Sequence, residues 1–181
     1  MPETSHDLLS PDALTRRVDA LVAHFERVRT QRMVGVPLLN PVLKVEAVGF
    51  RWTEVPGGGG VAVAEGVLVT PWFMSLVRLP ARALPHGNQV GRKFVRDFGG
   101  ERFDFIGGHD DAIGYHETCA LFSPMQGFDN QQRAIDTAQA ALALTRPAPV
   151  DAKAPAVKPA VPARRAFFQM GRGAANGEAT R

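Results

Sequence analysis

Leu14, Val18, Leu21, Val22, Phe25 and Val28 recur at three- and four-residue spacing against a charged back, which predicts an amphipathic helix packed on another layer. Ser10-Pro11-Asp12 marks its start. Ser10 can cap the exposed N–H groups, Pro11 suits the first helical position and Asp12 favours the positive end of the helix dipole. Gly35, Pro37, Asn40 and Pro41 then break the pattern, and strands are expected near 43–52, 61–69, 72–79, 92–98, 101–106 and 114–122.

The clearest strand pair is a hairpin through Gly99-Gly100, since two glycines between such runs can adopt the positive φ of a tight turn. Counting outward, Asp97 faces Arg102, Arg96 faces Phe103 and Phe94 faces Phe105, so Phe94, Phe98, Phe103 and Phe105 share one side. Val67 to Leu79 is apolar on both parities and wants cover on both faces. A second helix is expected from Asp129, with Gln132 completing a capping box and Ile135, Ala138 and Leu142 facing inward. Two helices cover only part of such a sheet, which leaves some of its second face for a partner.

The expected fold class is therefore α+β, a mainly antiparallel sheet flanked by an N-terminal and a C-terminal helix. Residues 10–146 form one domain, 1–9 are a flexible N-terminus, and 147–181 form a disordered tail rich in Pro, Ala, Lys and Arg. One core is consistent with 181 residues of which 45% are apolar. The net charge of +3 is unevenly placed. Residues 147–181 carry six basic groups against Asp151 and Glu178, so the rest of the chain is close to neutral and offers no nucleic-acid-binding face. A single cysteine, Cys119, excludes an intramolecular disulfide or a thiolate metal cage built from this chain alone. No apolar run suits membrane insertion. Thr15-Arg16-Arg17 leads into a charged helix rather than an export signal, so the expected location is the cytoplasm.

Candidate chemistry is sparse. Gly57 to Gly60 lacks the Lys-Ser or Lys-Thr of a phosphate loop and runs into a strand, so it is expected to be a hairpin loop. His109, Asp110, Asp111, His116, Glu117 and Cys119 form the one cluster that suits a metal or a nucleophile. On a strand, however, His116 and Cys119 point to opposite faces, and no second motif supplies an orienting base. Neither a cofactor, a metal nor a catalytic residue is assigned. The competing views are a small thiol-dependent enzyme or redox protein using Cys119 with His116 or His109, and a module that binds an apolar ligand.

Three stretches go further: Gly66-Val67-Leu68-Val69-Thr70-Pro71-Trp72-Phe73-Met74, Cys119-Ala120-Leu121-Phe122-Ser123-Pro124-Met125, and Phe128-Asp129 leading into an alanine-rich helix. In this order and spacing the chain resembles the HybE-type [NiFe]-hydrogenase assembly chaperones, called HoxT or HupJ in some operons, over roughly residues 10–145. The resemblance implies a non-catalytic accessory protein for a membrane-bound uptake hydrogenase. Its implied partner is the small, iron–sulfur subunit precursor before twin-arginine export, with the large subunit and other maturation chaperones as further partners. Some relatives carry a rubredoxin-like domain with paired Cys-x-x-Cys motifs; this chain has none, which excludes iron binding by that route.

A twin-arginine leader has a cationic start and an apolar stretch, so its binder needs an apolar groove with acidic groups near one end. Trp72, Phe73, Met74, Phe122 and Met125 are the expected groove, and Asp110, Asp111 and Glu117 the expected acids. Pliable methionine and aromatic surface suits adaptable recognition, although the same residues equally serve as core.

Overall fold

In a computed structural model, residues 9–53 and 61–146 are described. Residues 1–8 of the expected N-terminus, the Gly57–Gly60 loop and the expected tail lie outside them. Helix α1 (Pro11–Gln31) starts where the sequence predicts, with the Ser10 hydroxyl accepting from the Ala13 N–H and Pro11 in the first turn. Six strands follow: β1 (Glu46–Thr53), β2 (Val63–Val69), β3 (Met74–Pro80), β4 (Lys93–Phe98), β5 (Glu101–Asp110) and β6 (Gly114–Phe122). Helix α2 (Gln131–Thr145) follows β6. The strands form one antiparallel sheet in the order β1-β2-β3-β6-β5-β4.

Central strands β2 and β3 are buried on both sides, as their apolar parities require. Helix α2 covers one face, where Val67, Val69, Met74, Leu76, Phe98, Phe103 and Phe105 pack with Ala134, Ala138 and Leu142. Helix α1 covers the other, with Leu21 packing among Ala64, Leu68, Val77, Leu79 and Ile113. Arg17 of α1 donates to the carbonyls of Pro80 and Ile113, tying the helix across the sheet. The sheet curls around α2 so that both edges reach the helix's C-terminal end. Arg146 donates to the Gly49 carbonyl of β1, and the Gly100 N–H of the β4–β5 turn donates to the Thr145 carbonyl. Gly99 in that turn has φ +66°, and a Cβ there would collide with the Thr145 carbonyl, so the position requires glycine twice over.

The β4–β5 register is the one the sequence predicts, with Phe94 opposite Phe105, Arg96 opposite Phe103 and Asp97 opposite Arg102. On the reverse side of this pair Val95 and Ile106 stay about half exposed. The start of α2 differs by one residue from expectation. Asn130 is the cap and accepts from the Arg133 N–H, whereas Asp129 pairs with the Arg133 guanidinium. Gln132 does not close a capping box; its amide donates to Asp136. Gln131 instead anchors the helix start to β1, accepting from the Lys44 N–H and donating to Glu46.

Candidate partner-binding surface

At the Val69–Met74 end of the sheet three connections meet: residues 32–45 after α1, the β2–β3 turn and residues 123–130 before α2. Thr70 closes the β2–β3 turn. Its hydroxyl accepts from the N–H groups of Trp72 and Phe73 and donates to the Phe73 carbonyl, which explains a threonine at the head of the Thr-Pro-Trp-Phe string. Asn40 is the hub between the three. Its backbone N–H donates to the Pro71 carbonyl at 2.8 Å, and its side-chain amide donates to the carbonyls of Met125 and Phe128 at 3.0 and 2.8 Å. Gln126 adds a bond to the Leu38 carbonyl, and the Ser123 hydroxyl one to the Trp72 carbonyl.

This polar framework holds apolar side chains in water. Val34, Leu38 and Val42 are 72, 53 and 49% exposed. At the same end of the sheet Trp72, Phe73 and Phe122 are half-buried. Phe25 of α1 meets both Trp72 and Phe73, Trp72 and Phe73 meet edge to face, and Phe122 stands edge-on to Phe128. Met74 and Met125 are not on this surface. Both are fully buried under α2, because Met74 points to the α2 face of β3 and Met125 fills the space beneath the Asn40 hub. Leu38 and Val42 were not singled out in the sequence, where Pro37 and Pro41 mark only a break between elements.

The three acids sit elsewhere. Asp110 ends β5 and Asp111 begins the β5–β6 turn, both separated from Phe122 by the length of β6, roughly 25 Å. Asp110 contacts the His24 imidazole at 3.2 Å. Burial would raise its pKa, but the Ala112 N–H and the neighbouring His24, Arg27 and Arg32 hold it below the usual value. Asp111 projects fully into solvent. Glu117 faces the opposite side of the sheet and is buried, so it is not open to a client's arginines. Its carboxylate accepts from Arg78 at 2.7 Å, from Arg96 at 2.6 Å and from the Tyr115 hydroxyl at 3.0 Å. Burial alone would raise the Glu117 pKa, but the bonds from Arg96 and Arg78 lower it. Tyr115 is pushed up to about 12, first by burial and then by the Glu117 charge and hydrogen bond.

Cys119 is in no disulfide and lies buried beneath α2, while His116 lies on the α1 face, so the two do not pair. Among the described residues no group of three or more His, Cys, Asp or Glu is placed to hold a metal, and no helix is long and apolar enough to cross a membrane. The surface has no nucleophile–base pair; what it offers is apolar contact area on a fixed frame.

The family profile described as [NiFe]-hydrogenase assembly, chaperone, HybE matches residues 16–170. Protein HoxT of Cupriavidus necator is 37% identical over 90% of this chain and 92% of its own length. The Azotobacter vinelandii hydrogenase expression/formation protein HoxT is 35% identical over 87% of this chain and 97% of its own. The probable rubredoxin HupJ of Rhodobacter capsulatus is 37% identical over 75% of this chain, which spans about half (46%) of that protein. The solution structure of HybE from Escherichia coli aligns over 80% of this chain with a TM-score of 0.48 and 22% identity. The chain belongs to the HybE family of [NiFe]-hydrogenase assembly chaperones.

Proposed function

We propose that the chain performs its chaperone role by holding the small, iron–sulfur hydrogenase subunit precursor before twin-arginine export, without catalysing a reaction on it. The supporting observation is the exposed apolar group Val34, Leu38 and Val42, at the same end of the sheet as half-buried Trp72, Phe73 and Phe122, where Asn40 ties the connections together. Exposed apolar surface on a hydrogen-bonded scaffold is a liability unless something covers it. An unfinished subunit presenting apolar leader or interface segments is a covering of that chemistry, and the large subunit is a second such client.

Asp110 and Asp111 fit the leader itself. An apolar leader region of up to about 15 residues spans roughly 22 Å as a helix. A leader with its apolar end on Leu38, Trp72 and Phe122 would bring its arginines toward the β5–β6 turn.

A pull-down with the full chain as bait, against the precursor with and without its leader, tests this. Leu38→Asp combined with Val42→Asp should abolish capture while leaving stability within about 0.5 kcal/mol, as expected for surface changes. Asp110→Asn with Asp111→Asn should weaken capture of the leader-bearing form only. Full capture by the Leu38/Val42 variant would overturn the apolar assignment. Loss of capture on deleting 147–181, with the asparagine pair still active, would overturn the acidic one.

A further inference from the structure

The face of the sheet under α2 is only half filled by that helix. Beyond it, at the Val63–Pro80 end, lies a cavity of about 450 Å³, within the size range of small-molecule sites. The β3–β4 connection forms one wall and is pinned in place: the Tyr115 N–H donates to the Leu84 carbonyl at 2.9 Å and the Gly91 N–H to the Gly107 carbonyl at 2.8 Å. Val61, Val63, Leu84 and Pro85 give that end an apolar lining, and Arg78, Arg96, Tyr115 and Glu117 give it a polar floor.

The floor is cationic in balance. Glu117 is saturated by Arg78, Arg96 and the Tyr115 hydroxyl, and Glu65 is engaged by Arg78 Nε at 2.9 Å. Arg146 donates to the Glu65 carbonyl from behind. Three guanidiniums thus stand against two carboxylates, and Arg51 adds further positive charge from the exposed edge. Each guanidinium has five N–H donors. Glu65 and Glu117 use the Nε and Nη1 groups of Arg78 and the Nε and Nη2 groups of Arg96. Tyr115 also meets Arg96, and among the described residues no acceptor occupies Arg78 Nη2 or Arg96 Nη1, which leaves them for a ligand. Arg96 is held in place by the Phe94 ring, 4.8 Å from its guanidinium carbon.

We propose that this cavity binds a carboxylate carried on a short apolar stem, the carboxylate on Arg78 and Arg96 and the stem against Val61, Val63, Leu84 and Pro85. A single negative charge suits a lining that carries two guanidiniums, Arg78 and Arg96, against one carboxylate, Glu117. The flat, forked guanidinium suits a carboxylate specifically. A cationic leader would be repelled here, so this site is separate from the client surface and does not depend on it.

The test is an NMR titration of the full isotope-labelled chain with hexanoate, hexanamide and hexylammonium. Hexanoate should shift the Tyr115 and Gln89 signals saturably, with hexanamide weaker by about tenfold, the loss expected for charge-assisted bonds. Arg96→Gln should weaken hexanoate by about the same factor. The proposal is overturned if no saturable shift occurs, if hexanamide or hexylammonium binds as well as hexanoate, or if Arg96→Gln binds unchanged. The comparison of acid with amide uses the unaltered protein and so stands even if the variant folds poorly. A short peptide ending in a free leucine carboxylate, compared with its amidated form, identifies the source. Tighter binding of the free peptide acid than of hexanoate points to a chain terminus, and preference for hexanoate to a small organic acid; either supports carboxylate recognition.

Discussion

At the Val69–Met74 end of the sheet, apolar side chains stand in water on a frame of buried polar contacts, whereas at the Val63–Pro80 end charged side chains fold inward and meet one another. The first end reverses the usual distribution outside, the second reverses it inside. In both, the inverted groups are stable because of their partners. Asn40 satisfies three backbone carbonyl or amide groups that would otherwise strand the exposed loop. Arg78 and Arg96 neutralise Glu117, without which a buried carboxylate would change its protonation instead. Polarity along a chain therefore does not decide which side of the surface a residue takes; the availability of a fixed partner does.

The largest effect expected from breaking this arrangement is at the charged end. Glu117→Ala leaves two guanidiniums facing one another without a carboxylate between them, and removal of one member of a buried pair costs about 3 kcal/mol, at the lower end of the usual range because Arg96 is partly exposed. Chemical denaturation should show a midpoint shift of that size. Glu117→Leu combined with Arg96→Met should recover most of it, since Arg78 keeps Glu65 as its partner and replacement of a whole pair by apolar groups is often neutral. No loss in the single variant would mean that solvent already screens the cluster.

At the apolar end the corresponding break is Asn40→Ala. It removes two side-chain bonds to the Met125 and Phe128 carbonyls and one received from the Val42 N–H. With net values near 1 kcal/mol each, about 3 kcal/mol of stability should be lost. Capture of the precursor should fall more than stability does, because Leu38 and Val42 lose their fixed position. Hydrogen exchange at Leu43, whose N–H donates to the Asn40 carbonyl, should rise in the same variant. Unchanged capture with lowered stability would show that the client grips elsewhere.

How much of this was legible in the chain depends on whether the cause was local. The cap at Ser10, the β4–β5 register and the two-sided burial of β2 and β3 follow from residues a few positions apart, and each stands as the pattern predicts. The cap of α2 falls at Asn130 because Asp129 and Asn130 are chemically equivalent caps and only the entry angle of the chain separates them. The fate of Glu117 was not legible, since its partners come from 39 and 21 residues away. One signal was present in the sequence: Glu65, Arg78, Arg96 and Glu117 are charges at inward positions of strands that are otherwise apolar. Such a set is costly unless it converges. Met74 and Met125 show the opposite limit, as composition alone does not separate a methionine that fills a core from one that faces a client.

The smallest expected effect tests the α1 face, where neither inversion applies. His116 and His24 are both held below the usual histidine pKa of 6.5, first by burial. Asp110 opposes this for both, and the charges facing His24 from α1 and its end, Arg27 and Arg32, reinforce it. A histidine with a depressed folded pKa binds its proton more readily in the unfolded chain, so its stabilising contribution is intact above pH 6.5 and is lost as pH falls through the folded value. Glu117, also depressed, acts only at lower pH, below the ordinary carboxylate value of 4.5. Glu65, raised by burial, acts with the opposite sign and favours the folded chain in acid. Between pH 7 and 5 the denaturation midpoint should therefore fall, and the slope should come mainly from His116, the more deeply buried of the two imidazoles. His116→Gln should flatten that slope whatever it does to absolute stability, while Glu117→Gln should leave it in place. A slope that survives His116→Gln but disappears with Glu117→Gln would transfer the acid sensitivity from the α1 face to the charged floor beneath α2.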